Sequence, residues 1–354
     1  MKRVDLCSMA MGLMLALWPT SGSEALACTG ITLRSLDGST VVARTIEWAG
    51  GDLGSLRVVV PRGYTQQSAT PDSTGGLRFQ ARYGYVGLAV ERPEYVAEGL
   101  NEQGLSAGLF YFPQYGSYEA YDPALRSESL SDLQVVSYVL GQCATIDEVR
   151  HSLARLHIIQ ADMRGSTIHW RFTDASGRQL ILEIVDGRQQ FFDSHLGVLT
   201  NSPGYEWHLT NLTNYLNLHT GTAAATPLGP IERRPFGGGS GLLGLPGDYT
   251  SPSRFVRAAY MQTSAPRLAD AASTVHQAFH LLNAFDIPIG MQYAPTDSVP
   301  SIPSATQWTV ASDVTHRILY YRTMHDWSLH TIALEHIDFS TTPYHTEPLM
   351  PPHP

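Results

Sequence analysis

Charge is scarce in this chain: of 354 residues only 16% are Asp, Glu, Lys or Arg, whereas 43% are hydrophobic. A disordered or fibrous protein is excluded, because such chains carry too little apolar surface to bury a core. Cations are scarcer still. Lys and Arg number 23 against 32 Asp and Glu, the formal net charge is -9, and no block is rich in Lys or Arg. Nucleic acid is excluded as a partner on that ground, since phosphate recognition needs clustered cations. The early apolar stretch is short, and no later segment reaches the roughly 20 apolar residues of a membrane-spanning helix, so no span is expected. Cysteine is rare, at Cys7, Cys28 and Cys143 alone. Fourteen histidines are present, yet His-Glu-x-x-His and paired Cys/His spacings are missing, so neither a metal nor another cofactor is expected. Gly237-Gly238-Gly239-Ser240-Gly241 lacks the Gly-Lys-Ser/Thr ending of a phosphate-binding loop. Its Gly-Ser-Gly fragment also lacks the strand before and the helix after that a serine-hydrolase elbow needs.

What is present starts at the N-terminus. Lys2 and Arg3 precede an apolar stretch from Val4 to Trp18, and Ser21 to Ala27 ends in Ala25-Leu26-Ala27, with small residues at the two positions that a signal peptidase reads. The expected organisation is a cleaved export signal over 1–27 and one domain over 28–354, the mature protein being periplasmic or secreted. Cys28 then becomes the first residue. A terminal cysteine carries a thiol and a free α-amine together, and that amine, with an ordinary pKa of about 7.7–8.0, suits a general base near neutral pH. Nucleophile and base are preassembled, as in N-terminal Thr enzymes. Two other readings compete. Cys28 and Cys143 are able to pair in an oxidising compartment, or Cys28 is lipid-anchored on a non-catalytic exported or ligand-binding protein. Against the anchor, Ala25 stands where an aliphatic residue is usual and Leu26 is bulky.

Ile31 and Leu33 precede the turn Leu36-Asp37-Gly38-Ser39, and Val42, Ile46 and Trp48 follow it. This is a hairpin pattern in which Asp-Gly supplies the positive φ angles of a tight turn. With Asp37 and Gly38 as a two-residue loop, Ile31 faces Arg44 and Cys28 faces Glu47. That register sets the Glu47 carboxylate beside the new amine, and leaves Arg44 to favour thiolate if a bulge or twist brings it round. Thr167–Thr173, Gln179–Val185 and Gln189–Asp193 read as an antiparallel meander, and Gln307–Ala311, His316–Arg322 and Ser328–Leu334 as a last strand group. Ser131 with Gln134, and Thr145 with Glu148, have capping-box spacing, and helices are also expected over 253–261 and 270–283. Strand groups at both ends with helices between point to an α+β layered domain rather than βαβ units. The stretch 211–247, rich in Thr, Ala, Pro and Gly, is a long excursion.

Six blocks follow one another in order: Cys28-Thr29-Gly30; Ala43-Arg44-Thr45-Ile46-Glu47-Trp48; Gly99-Leu100-Asn101-Glu102-Gln103-Gly104-Leu105; Ala107-Gly108-Leu109; Leu199-Thr200-Asn201-Ser202-Pro203; and Leu245-Pro246-Gly247-Asp248 running to Ser253-Arg254-Phe255. Together they resemble the choloylglycine hydrolase family of N-terminal-nucleophile hydrolases, which contains bile salt hydrolases and penicillin V acylases. The resemblance implies a four-layer αββα sandwich of two antiparallel sheets between helix layers, with Cys28 at the edge of a central strand. It also implies roles: Arg44 beside the nucleophile, Asn201 as side-chain donor of an oxyanion hole, Arg254 as a second active-site arginine. Glu47 stands where the family usually has Asp. After Leu109 the family places Asn or Tyr, whereas Phe110-Tyr111-Phe112-Pro113 is one residue longer, so the backbone oxyanion donor is Phe110 or Tyr111.

The expected reaction is attack of the Cys28 thiolate on a linear amide of a small molecule, with the α-amine carrying the proton to the leaving amine and water hydrolysing the thioester. Trp48, Phe110, Tyr111 and Phe112 are expected to bind the acyl group. Three acyl groups remain open: a bile acid, which is preferred, the phenoxyacetyl group of penicillin V, and the chain of an acyl-homoserine lactone. The 211–247 excursion resembles a subunit-bridging extension, which implies a homo-oligomer, tetramer or dimer.

Overall fold

A computed structural model describes residues 27–48, 53–161, 166–288, 291 and 305–349; the leader expected over 1–27 lies, Ala27 apart, outside them. In chain order the strands are β1 (Ala27–Arg34), β2 (Thr40–Trp48), β3 (Leu56–Val60), β4 (Thr65–Gln67), β5 (Arg78–Gln80), β6 (Tyr85–Ala89), β7 (Val96–Asn101), β8 (Ser106–Tyr111), β9 (Ser129–Ser131), β10 (His157–Ile159), β11 (Ile168–Thr173), β12 (Gln179–Val185), β13 (Arg188–Asp193), β14 (Ala305–Asp313), β15 (Ile318–Thr323), β16 (His330–Ala333) and β17 (His345–Pro348). The α-helices are α1 (Val135–Gln142), α2 (Ile146–Leu153), α3 (Tyr205–Asn211), α4 (Ser251–Ser264) and α5 (Ala271–Leu282).

Two large antiparallel sheets organise the molecule. One has the order β1-β2-β14-β15-β16, the other β13-β12-β11-β8-β7-β6-β3-β17. Helices α4 and α5 cover the first sheet over β1, β2 and β14, and α1 covers the second over β7 and β8. Between the sheets, Arg44 of β2 donates to the carbonyls of Ala97 and Leu109, and Arg171 of β11 donates to those of Ile31 and Ala43. This is the expected αββα sandwich. Strand β2 shows why it holds: Thr-Val-Val-Ala-Arg-Thr-Ile-Glu is buried throughout, because helices close one face and the second sheet the other. Its β-branched residues suit such a surface.

The first hairpin differs from the expected register by one residue. Ser35 N–H donates to the Ser39 carbonyl at 3.0 Å, and Gly38 takes φ 91°. The loop is therefore Leu36-Asp37-Gly38, three residues ending in a left-handed glycine. Gly30 then faces Arg44, Cys28 faces Ile46, and Ala27 faces Glu47. Strand β1 is also an end strand rather than a central one. Beyond it, among the described residues, Leu199 bridges to Gly30 with N–H···O distances of 2.7 and 3.2 Å.

The expected caps divide. Thr145 accepts the Glu148 N–H at 3.2 Å while the Glu148 carboxylate takes the Ala144 N–H at 2.6 Å, starting α2. Ser131 makes no cap bond; a 3-10 turn over Asp132–Gln134 leads into α1, and the Gln134 side chain is used instead by the Ala69 N–H at 2.7 Å. Asp270 caps α5 through Ser273 N–H. In the 211–247 excursion, past the 3-10 turn Leu212–Tyr215, Leu216, Leu228, Ile231, Phe236 and Leu243 are exposed. Cys28 and Cys143 are both free thiols, so the disulfide reading fails. Among the described residues no helix is long and apolar enough to cross a membrane, and no three His, Cys, Asp or Glu gather as metal ligands.

Candidate active site

Alternation along β1 and β2 turns Cys28, Gly30, Arg44 and Ile46 towards the second sheet, and Thr29, Thr45 and Glu47 towards the helices. The close approach of the sheets requires Gly30. A Cβ there would lie 2.6 Å from Arg171 Nη1 and 2.9 Å from Phe110 Cζ. Arg44 is fully buried, and its guanidinium is pinned by Nε to the Thr45 carbonyl at 3.1 Å and Nη1 to the Leu109 carbonyl at 2.6 Å. The Phe110 ring lies 4.2 Å from it. Arg44 Nη2 is left to donate to Cys28 Sγ at 2.7 Å. Burial pushes the Cys28 thiol up; Arg44 pulls it down, Glu47 pushes it up, and the Tyr111 N–H and Arg254 pull it down, the net direction being upward with the peptide at Cys28 intact.

Of the two expected backbone donors, Tyr111 is the one whose N–H meets Cys28. Its carbonyl accepts Asn201 Nδ2 at 2.8 Å. Asn201 Oδ1 accepts the Cys28 N–H at 2.9 Å and Arg254 Nη2 at 2.6 Å. A guanidinium only donates, so Arg254 fixes which way the Asn201 amide points, and Nδ2 keeps one hydrogen beyond the bond to Tyr111. Arg254 comes from the first turn of α4 and also donates to the Cys28 carbonyl and to Thr29 Oγ1. Cys28, Arg44, Tyr111, Asn201 and Arg254 thus converge.

Glu47, expected opposite Cys28 with its carboxylate beside the new amine, faces Ala27 instead. It projects to the opposite face, where Oε1 accepts from Thr306 Oγ1 at 2.9 Å and Oε2 is buried without a hydrogen-bond partner. Burial pushes its carboxyl up to about 7, against the pull of Arg254. The expected acyl-pocket set also divides. Phe110 and Phe112 are 0% exposed and packed, on Arg44 and on His169 respectively, while Trp48 and Tyr111 remain partly exposed. Sequence reading missed Glu98, whose Oε2 lies 3.9 Å from Arg44 Nη1, together with His169, Arg171 and Glu183. The signal was two ionisable residues in the otherwise apolar strand Ile-His-Trp-Arg-Phe, every one of them buried.

A family model described as linear amide C-N hydrolases, choloylglycine hydrolase family, matches residues 28–347. The chain belongs to the choloylglycine hydrolase family. It is accordingly an enzyme that hydrolyses linear amide C–N bonds. This family member is 28% identical over 316 residues to a bile salt hydrolase/transferase of Clostridium perfringens, covering 87% of this chain and 92% of the relative. It is 26% identical over 302 residues to a penicillin V acylase of Pectobacterium atrosepticum, covering 79% and 73%. A solved mutant of the conjugated bile acid hydrolase from Clostridium perfringens superposes with a TM-score of 0.78 at 26% identity, over 90% of this chain and 96% of that one.

Proposed function

We propose that the mature protein is an N-terminal-nucleophile hydrolase in which Cys28, freed by leader removal, cleaves the amide of conjugated bile salts. One observation carries this reading: Cys28 is gripped at both reactive atoms, Sγ by Arg44 at 2.7 Å and N by Asn201 Oδ1 at 2.9 Å. Cutting the Ala27–Cys28 bond turns that nitrogen into an amine and removes the residue opposite Glu47, whose unpartnered Oε2 is then available to the ammonium form. The thiol proton passes to the amine, and Arg44 stabilises the thiolate. Sulfur attacks the amide carbonyl, and the oxyanion is met by Tyr111 N–H and the second Asn201 Nδ2 hydrogen, each donor typically contributing about 3–4 kcal/mol. The ammonium returns its proton to the leaving nitrogen as the C–N bond breaks. Water, deprotonated by the amine, then opens the thioester and restores the thiol.

Bile salts are preferred because the Clostridium perfringens relative is named for them and matches over most of both chains. The Pectobacterium atrosepticum relative supports penicillin V as the second reading. The mature chain is exported, and it assembles as a homo-oligomer through the 211–247 excursion, whose exposed Leu216, Leu228, Ile231, Phe236 and Leu243 support a covered apolar face. The test is hydrolysis of glycine- and taurine-conjugated bile salts, penicillin V and acyl-homoserine lactones by protein whose N-terminal mass has been measured. A free Cys28 amine with bile salt turnover is expected. A diacylglyceryl or blocked Cys28, or preference for another amide, would overturn the corresponding part.

A further inference from the structure

We infer that His169 and Glu183 are a positioning pair that holds the Thr200–Asn201 backbone, and through it the Asn201 amide, against the reacting carbonyl. This rests on the reading of Asn201 as an oxyanion donor. Both side chains are core residues, 0% and 2% exposed. His169 Nδ1 lies 3.0 Å from Glu183 Oε1, and Nε2 lies 3.1 Å from the Thr200 carbonyl oxygen. A carbonyl oxygen only accepts, so Nε2 carries a hydrogen. The other ring nitrogen faces a carboxylate, so a second proton lies between Nδ1 and Oε1, whichever atom holds it. The acidic partner lets the ring direct a hydrogen to Thr200 from Nε2 while Nδ1 still meets the carboxyl through a proton, an orienting role carboxylates commonly play for histidine.

The surroundings leave the ring no freedom. Phe112 stacks on it at 4.4 Å and 9°, Phe110 meets it edge-on at 6.2 Å, and Glu183 Oε1 also accepts the Tyr205 N–H at 2.9 Å. The other end of this peptide and the start of the next are held just as firmly. Asn201 N–H donates to Ser251 Oγ at 2.9 Å, and the Asn201 carbonyl accepts from His208 Nε2 at 2.8 Å. Thr200 is fully buried, so without the His169 hydrogen its carbonyl loses a partner that water cannot replace. Rotation of the 200–201 peptide to recover one would carry the Asn201 amide with it.

The experiment uses the leader-free enzyme and a glycine-conjugated bile salt, or penicillin V if that is the amide turned over, with thermal unfolding confirming each variant. His169→Phe keeps the stacking ring but removes the donor, and should lower kcat roughly 10–100-fold with KM within about twofold. His169→Gln, able to place an amide hydrogen near the Nε2 position, should recover most of that loss. In an Asn201→Ala background, His169→Phe should lower kcat by less than about twofold more, because the donor it positions is gone. Glu183→Gln, nearly the same shape without the anion, should follow the same pattern and serves if His169→Phe does not fold. A full further loss in the Asn201→Ala background, or Gln no better than Phe at 169, would overturn the pair's role. Undiminished kcat in Asn201→Ala itself would overturn the donor reading, and the inference with it.

Discussion

Arg44 Nη2 donates to the sulfur of Cys28 at 2.7 Å, from a strand position opposite Gly30 rather than opposite Cys28 itself. A diagonal pair on one face lets a long side chain reach back along its neighbour. The other bonds to Arg44 hold its charge at one place, so the thiol sees a fixed cation in a buried setting.

Arg44→Lys keeps the charge but loses the planar fork. The Cys28 thiol should titrate at higher pH in alkylation with iodoacetamide followed by intact mass, and kcat/KM should fall roughly 10–100-fold, the range of one charged hydrogen bond. An unchanged alkylation profile would remove Arg44 from the chemistry.

Cys28→Ala should abolish turnover in a correctly processed, folded chain, since no neighbouring group replaces the thiol. Asn201→Ala should act on kcat, by roughly 10²–10³. A change confined to KM would instead make Asn201 a substrate-binding residue.

An unprocessed chain has only an amide nitrogen at Cys28, hydrogen-bonded to Asn201, and cannot use it as a base. It should be folded and inactive. Cleaving an N-terminal tag at an engineered site just before Cys28 should restore turnover, followed by intact mass and rate together. Full activity with the tag still attached would refute the N-terminal-nucleophile reading.

Glu47 titrates at about 7 in the fold, above the ordinary glutamate value of about 4.3. Its protonated form is favoured on folding, so this contribution to stability is present at low pH and is lost as pH rises through about 7. Relative to Glu47→Gln, the unprocessed chain should therefore lose roughly 3 kcal/mol between about pH 4 and pH 8, measured by urea unfolding. Freeing the Cys28 amine, which would bring an ammonium towards Glu47, should reduce that slope. Parallel pH curves for the two unprocessed chains would mean that folding leaves the Glu47 titration unshifted.

Gly30→Ala should destabilise the chain by about 1–3 kcal/mol, the usual cost of overpacking, because the new methyl meets Phe110 and Arg171. Activity should fall further than stability alone accounts for, since Phe110 lies against the Arg44 guanidinium. A variant matching the parent in melting temperature and rate would show that the two sheets can part without consequence.

Much of the fold was legible locally. Ser176-Gly177 and Asp186-Gly187 turns marked the β11–β13 meander, alternation alone marked the β14–β16 group, and Thr145 with Glu148 marked the start of α2. Six ordered sequence blocks were enough to indicate the family and to pick out Arg44, Asn201 and Arg254. The hairpin register was not legible, because Leu36-Asp37-Gly38-Ser39 accommodates a two-residue or a three-residue loop, and only packing chooses. Phe110 and Phe112 were misplaced for a related reason: an aromatic run looks alike whether it lines a pocket or fills a core.

Local chemistry therefore sufficed for the first hairpin's strands, the β11–β13 and β14–β16 groups and helices α1, α2, α4 and α5, though not for β3–β10, β17 or α3, and for a cysteine with a signal-peptidase pattern directly before it. Tertiary packing alone decided which of them meet. Side chains along a strand alternate faces, so one residue of register sent Glu47 to the helices and Arg44 to the sulfur. Asn201 and Cys28 are 173 residues apart in sequence, and no local pattern records that distance. The His169–Glu183 pair lies across neighbouring strands β11 and β12 of one sheet, but burial of it and of the Arg44–Glu98 approach excludes water, which is what makes each unpaired donor or charge costly enough to hold its partner in place.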